Sequence, residues 1–139
     1  MKLEIEAKEA NVSFARVVAA SFASGLDPTV DEVEEIKVAV SEAVTNAIVH
    51  GYDGREGKIV IEAFSYDKSL MISIKDFGRG IDDIEKAKEP LFTTKPEEER
   101  SGLGFTVMES FMDSLHIDSK TGCGTTVTMT KRIGCAEDD

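Results

Sequence analysis

One long apolar pattern constrains this chain more than any other feature. Val30, Val33, Ile36, Val40, Val44, Ala47 and Ile48 recur every three or four residues, which is the period of one helix face. Thr29 and Glu32 have capping-box spacing at its start, and Gly51 stands where a helix stops. A helix over about 29–51 with a single apolar stripe must lie on something, and the rest of the chain offers strands. Residues 2–8 alternate, with Leu3, Ile5 and Ala7 on one side. Residues 59–66 and 70–76 read as a hairpin after a turn at 53–58, and 114–119 and 125–133 read as a second, joined by Thr121-Gly122-Cys123-Gly124. Two further helices are expected. One spans 11–24, capped by Asn11, stopped by Gly25, with Phe14, Val17, Val18 and Phe22 on one apolar face. The other follows Gly104, with Phe105, Met108, Phe111 and Met112 inward. Strands and helices in this order predict an α+β sandwich, with helices over one face of a mixed, mostly antiparallel sheet. At 139 residues it is a single domain. Residues 82–100 carry Pro90, Pro96 and many charges, with a short helix near 84–88. They read as a lid-like loop, and 135–139 as a frayed tail.

Composition narrows the functions open to such a fold. A formal net charge of −11 disfavours direct nucleic-acid binding, which needs a basic footprint. No apolar run approaches the ~20 residues that span a bilayer. The first eight residues lack the apolar core of a signal peptide, so the cytoplasm is the expected compartment. Cys123 and Cys135, with only His50 and His116 beside them, read as free thiols rather than a zinc site.

Chemistry concentrates in a few places. Glu42 and Asn46 lie four residues apart and share a helix face roughly opposite Ile36, Val40 and Val44. Alone, such a pair is ordinary on a solvated surface. Three glycine pairs follow: Asp76-Phe77-Gly78-Arg79-Gly80 after a strand, Ser101-Gly102-Leu103-Gly104 before a helix, and Gly122-Cys123-Gly124-Thr125 before the last strand. The second sits where helix N–H groups would face a phosphate; the third also reads as a plain hairpin turn. Together with the Glu-x-x-x-Asn helix they point to a nucleotide. Neither a P-loop nor a Rossmann glycine motif occurs, and the Asp-Phe-Gly at 76–78 lacks the other signatures of the protein kinases.

The run Ser41-Glu42-Ala43-Val44-Thr45-Asn46-Ala47-Ile48-Val49-His50-Gly51, then D-x-G-x-G, G-x-G and G-T, resembles the GHKL superfamily of ATPases and kinases. Three stretches narrow the likeness to its anti-sigma factor serine kinases, on the sporulation side of that group. They are Ser13-Phe14-Ala15-Arg16, Leu26-Asp27-Pro28-Thr29, and Pro90 to Pro96 with Glu99 to Phe105. The likeness covers nearly the whole chain. It implies a Bergerat-type ATP-binding sandwich with a lid at 82–100, ATP and Mg²⁺ as cofactors, and a homodimer. It also implies two partners: a sigma factor, and an anti-anti-sigma protein of the STAS type phosphorylated on serine. By the same resemblance Asn46 would ligate Mg²⁺, and Asp76 would bind adenine with Thr125 beside it. Gly78, Gly80, Gly102 and Gly104 would shape the pocket. Lys95, Arg100, Ser101 and Phe105 would complete the ATP contacts, Glu42 would be the general base, and Arg16 would meet the partners. A serine hydroxyl profits from a nearby base, so Glu42 favours a serine kinase. A nucleotide-gated sigma-binding protein without kinase activity, and the related stress-response kinase that controls sigma B, are the alternatives.

Overall fold

The computed structural model describes residues 1–81, 84 and 104–134. The lid at 82–100 and the tail at 135–139 fall outside them, apart from position 84. Five strands form one sheet: β1 (Lys2–Glu6), β2 (Lys58–Tyr66), β3 (Ser69–Asp76), β4 (Ser114–Lys120) and β5 (Gly124–Arg132), in the spatial order β1-β2-β3-β5-β4. All four pairings are antiparallel. The expected antiparallel character holds, with no parallel pairing among the described strands.

Strand side chains alternate between faces, and that alternation selects the core. Ile59, Ile61 and Ala63 on β2, Leu70, Ile72 and Ile74 on β3, and Val127 and Met129 on β5 are buried. Ile61 stands opposite Ile74, and Ile74 opposite Val127, so the buried rows run across the strands. The other face carries Phe64, Tyr66 and Met71, all exposed. Three helices, α1 (Ala10–Ala23), α2 (Val30–Asn46) and α3 (Gly104–Phe111), add their buried residues to one cluster with the sheet's inner rows. The helices therefore cover one face.

The start of α2 is the capping box its sequence spells. The Glu32 N–H donates to Thr29 Oγ1 at 3.1 Å, and the Thr29 N–H donates to Glu32 Oε1 at 2.9 Å. Its buried stripe is Ile36, Ala39, Val40, Ala43 and Val44. Val30, expected to lead that stripe, is 78% exposed: it is the first residue of the helix, and burial begins only at Ile36.

The α1 expectation needs a larger correction. Its buried residues are Ala15, Ala19 and Ala23, whereas Phe14 is 50% and Val17 61% exposed. Alanines four apart give a flat face that lets α1 lie against α2; of the expected face, Phe22 does pack against the core, while Phe14 and Val17 turn outward. Nor is Asn11 the cap. The helix starts a residue earlier, and Asn11 Nδ2 donates to the Glu6 carbonyl at the end of β1, at 2.8 Å.

One charged tie joins the sheet to two of the helices. Lys131 on β5 is buried; its Nζ donates to the Phe111 carbonyl at the end of α3 (2.6 Å) and pairs with Glu35 Oε1 on α2 (2.9 Å). Lys131→Ala is expected to destabilise the fold by ~1–3 kcal/mol, the cost of stranding polar partners in a buried setting. Urea unfolding checks this, and a midpoint equal to wild type would mean that water replaces the ammonium without loss.

Candidate nucleotide site

Two groups of residues face one another across a short turn. Asn46 ends the α-helical part of α2, and the chain then widens into a π turn, Ala47–Gly51, a form common at functional sites. Asn46 Oδ1 is buried and, among the described residues, accepts no hydrogen bond. A buried polar atom without a partner is costly in a native fold, so this oxygen is a candidate ligand-binding atom.

The first turn of α3 is laid against that amide. A β-carbon on Gly104 would come 3.0 Å from Asn46 Nδ2, 3.3 Å from its Oδ1 and 3.4 Å from Glu42 Oε1. Glycine there keeps the cradle open, and the backbone N–H groups that begin a helix favour an anion. Glu42 and Asn46, both half-buried, are therefore no solvated pair: α3 covers them. Phe105 is buried in the core, so its side chain packs and its backbone N–H is what it offers a ligand. Lys95, Arg100, Ser101 and Gly102 lie outside the described residues.

The second group gathers at the end of β3. Asp76 is only 5% exposed. Its Oδ1 accepts the Gly78 N–H at 2.9 Å. Burial pushes the carboxyl above its ordinary value of 3.8, and the backbone N–H groups of Gly78 and Thr125 pull it partly back. Thr125 stands opposite Asp76 in the β3–β5 register. Gly78 lies so close to the Gly51 carbonyl that no side chain fits between them, and Gly80, at φ +80°, is pressed in the same way on Lys120. These glycines hold the loop's path. Gly124 touches the Asp76 backbone likewise, so the third pair both turns the β4–β5 hairpin and closes on this loop.

The π turn joins the two groups. Asn46 precedes it, and a β-carbon on Gly51, its last residue, would lie 2.9 Å from the Asp76 carboxyl. The loop after β3 is fastened to the same turn: the Arg79 N–H donates to the Gly51 carbonyl (2.9 Å) and Arg79 Nε to the His50 carbonyl (2.8 Å).

Sequence reasoning missed two residues here. Ser119 Oγ accepts the Ile81 N–H at 2.7 Å and lies 2.8 Å from Thr125 Oγ1. Tyr52, 8% exposed, bonds through its hydroxyl to both Lys58 and Phe77. Neither belongs to a recognisable motif, and the contacts that give them meaning join residues as much as 38 apart.

Arg16 sits on the seam between α1 and α2. Half-buried, it points Nη1 at Ser41 Oγ and Nη2 at Ser13 Oγ, both at a long 3.5 Å. It reaches the residue that precedes Glu42, and the same helix carries the exposed Phe14 and Val17.

An antiparallel sheet with helices on one face, a helical Glu-x-x-x-Asn and a buried aspartate at a strand end define an ATPase domain of the histidine-kinase type. The family model for the histidine kinase-like ATPase domain matches residues 5–131. An anti-sigma F factor of Clostridium acetobutylicum is 54% identical over 138 residues, covering 99% of this chain and 96% of that protein. One from Bacillus subtilis is 56% identical over 134 residues, covering 96% and 92%. The solved structure of the RsbU and RsbW domains of a Mycobacterium tuberculosis protein shares the fold, with a TM-score of 0.65 at 20% identity over 96% of this chain and 32% of that one. This chain belongs to the histidine kinase-like ATPase family and, within it, to the anti-sigma F factors. Among the described residues no helix is long and apolar enough to cross a membrane.

Proposed function

We propose that this protein is an ATP-dependent protein-serine kinase that also holds a sigma factor, acts as a homodimer, and phosphorylates a STAS-type antagonist. The observation that carries the kinase reading is Asn46 Oδ1, buried and without a partner among the described residues, against Gly104 and beside Glu42. Mg²⁺ takes one or two protein oxygens and fills its shell with phosphates and water. A lone amide oxygen suits that habit, and no cluster among the described residues would hold a metal by itself. The bound ion would neutralise charge on the β- and γ-phosphates.

The chain's own residues supply the rest. Asp76 offers a buried acceptor to the adenine amino group. The start of α3 offers N–H groups to the phosphates. Glu42, one helical turn before Asn46, takes the proton from an incoming serine hydroxyl. Positioning and charge account for most of phosphoryl transfer, and these groups are held on packed helices and, for Asp76, at the end of β3. The test is transfer of labelled γ-phosphate from ATP and Mg²⁺ to a serine of the STAS protein. No transfer, with ATP still bound, would reduce the protein to a nucleotide-gated binder.

The sigma factor reading is supported by the relatives' name and by α1. Arg16 is a half-buried arginine held, among the described residues, only by long contacts to Ser13 and Ser41, on a helix that also exposes Phe14 and Val17, and arginine is a favoured interface anchor. Arg16→Ala is expected to weaken binding to both partners by about thirtyfold or more. Its two long hydrogen bonds contribute little, so the melting temperature should hold. Titration against each purified partner, with a melting curve as control, checks this; unchanged affinities would leave Arg16 a packing residue of the α1–α2 seam.

A further inference from the structure

The β2–β3 ladder ends at the pair Ile59 and Asp76. One step further, Lys58 would face Phe77. That rung is not closed between the strands. The Tyr52 hydroxyl stands in it, accepting the Phe77 N–H at 2.8 Å and donating to the Lys58 carbonyl at 2.5 Å. Both bonds use a single phenol oxygen, whose capacity as one donor and an acceptor is thereby engaged. Its ring is buried, and its backbone N–H closes the π turn on the Ala47 carbonyl at 3.0 Å. Gly57 crosses the ring face so closely that a β-carbon there would overlap it. The phenol is thus gripped by the turn that follows Asn46 on one side and by the start of β2 on the other.

The consequence lies in the residue before Phe77. A hydroxyl wedged between Lys58 and Phe77 keeps the strands apart at that point and sends the chain beyond Asp76 away from β2, across the Gly51 carbonyl. Asp76 and the Gly78 N–H that orients its carboxylate depend on that diversion. We propose that Tyr52 is a positioning residue for base recognition: its hydroxyl replaces a strand rung and so sets the Asp76 carboxylate for the adenine amino group. This rests on the reading of Asp76 as the adenine acceptor. The tyrosine would touch no nucleotide. Without the hydroxyl, Phe77 and Lys58 either pair directly, drawing the loop toward β2, or lose their partners.

Two substitutions reach the same oxygen by different routes. Tyr52→Phe removes it and keeps the ring. Gly57→Ala keeps it and pushes the ring. The measurement is titration of wild type and both variants with fluorescent ADP and GDP analogues, Mg²⁺ present. Wild type is expected to prefer the adenine nucleotide. Each variant is expected to bind ADP about tenfold more weakly, as the loss of one buried hydrogen-bonding partner implies. GDP binding should change little, so the preference narrows. A merely structural role would weaken both nucleotides alike and leave the ratio, which would overturn the proposal, as would an unchanged ADP affinity in Tyr52→Phe. A wild type with no base preference would overturn the Asp76 reading and this inference with it. A second measurement needs no variant. The chain has two tyrosines, and Tyr66 is 84% exposed. In ring-labelled wild type, ADP should shift the NMR signals of Tyr52 and leave those of Tyr66; a Tyr52 signal indifferent to ADP would overturn the proposal even if the variants failed to fold.

Discussion

Glu42→Gln is expected to slow phosphoryl transfer to the STAS serine by ~10²–10⁴, the usual worth of a positioned general base, while Mg-ATP binding stays near wild type. The substitution is nearly isosteric. The side chain continues to fill the space beside Gly104, where an added β-carbon would already lie 3.4 Å from Glu42 Oε1, and Asn46 keeps its place a turn later. What disappears is the capacity to take a proton. Glu42→Ala would be a poorer experiment, because emptying that space lets α3 and the Asn46 amide shift and mixes loss of the base with loss of metal geometry. The comparison needs single-turnover transfer rates at saturating ATP beside a calorimetric titration of Mg-ATP. Reduced transfer with intact binding places Glu42 in the chemical step. Transfer at the wild-type rate would mean that another group accepts the serine proton, and the kinase reading would then rest on Asn46 and the start of α3 alone.

What the sequence made legible, and what it did not, divides by the range of the interactions involved. The capping box of α2 is written within four residues, and it was found with both its hydrogen bonds. Strand alternation is equally local, and the inner rows of β2, β3 and β5 follow it. The inward face of α1 was legible only in part, at Phe22, which packs against the core. Phe14, Val17, Val18 and Phe22 fit a helical period as well as Ala15, Ala19 and Ala23 do, and hydrophobicity favours the larger set. The distance between α1 and α2 decides between them, and no property of either helix alone encodes that distance. Glu42 and Asn46 were found as a pair by spacing. Their burial was not foreseen, because it depends on Gly104, about sixty residues later in the chain. Tyr52 was missed for the same reason. Its neighbours in sequence make it the end of a helix, and only Lys58 and Phe77, meeting at the end of a ladder, make it a rung.

Asp76→Asn carries the other large effect, and it has two signatures with one cause. The carboxyl is buried, and burial raises it above 3.8. The folded chain therefore holds that proton at a pH where the unfolded chain has lost it. Between the two values the folded state binds more protons, so this group's contribution to stability falls as pH rises, and the full cost of the buried charge is present above the folded value. Asparagine has no such dependence. The stability difference between variant and wild type, from urea midpoints at several pH values, should thus move in the variant's favour as pH rises from about 4 and level off once wild-type Asp76 is ionised; other titrating groups cancel in the difference. The function should change in the opposite sense. An ionised acceptor facing the adenine amino group is replaced by an amide that can present its own N–H groups, so ADP affinity should fall about a hundredfold, the upper range for a hydrogen bond to a charged group. Guanine carries a carbonyl where adenine carries its amino group, so the same amide suits it better, and the preference for adenine should shrink or reverse. Nucleotide titrations read one signature and urea unfolding the other. An unchanged ADP-to-GDP ratio would remove Asp76 from base recognition, and a stability difference flat across pH would mean that its carboxyl is hydrated in solution rather than buried.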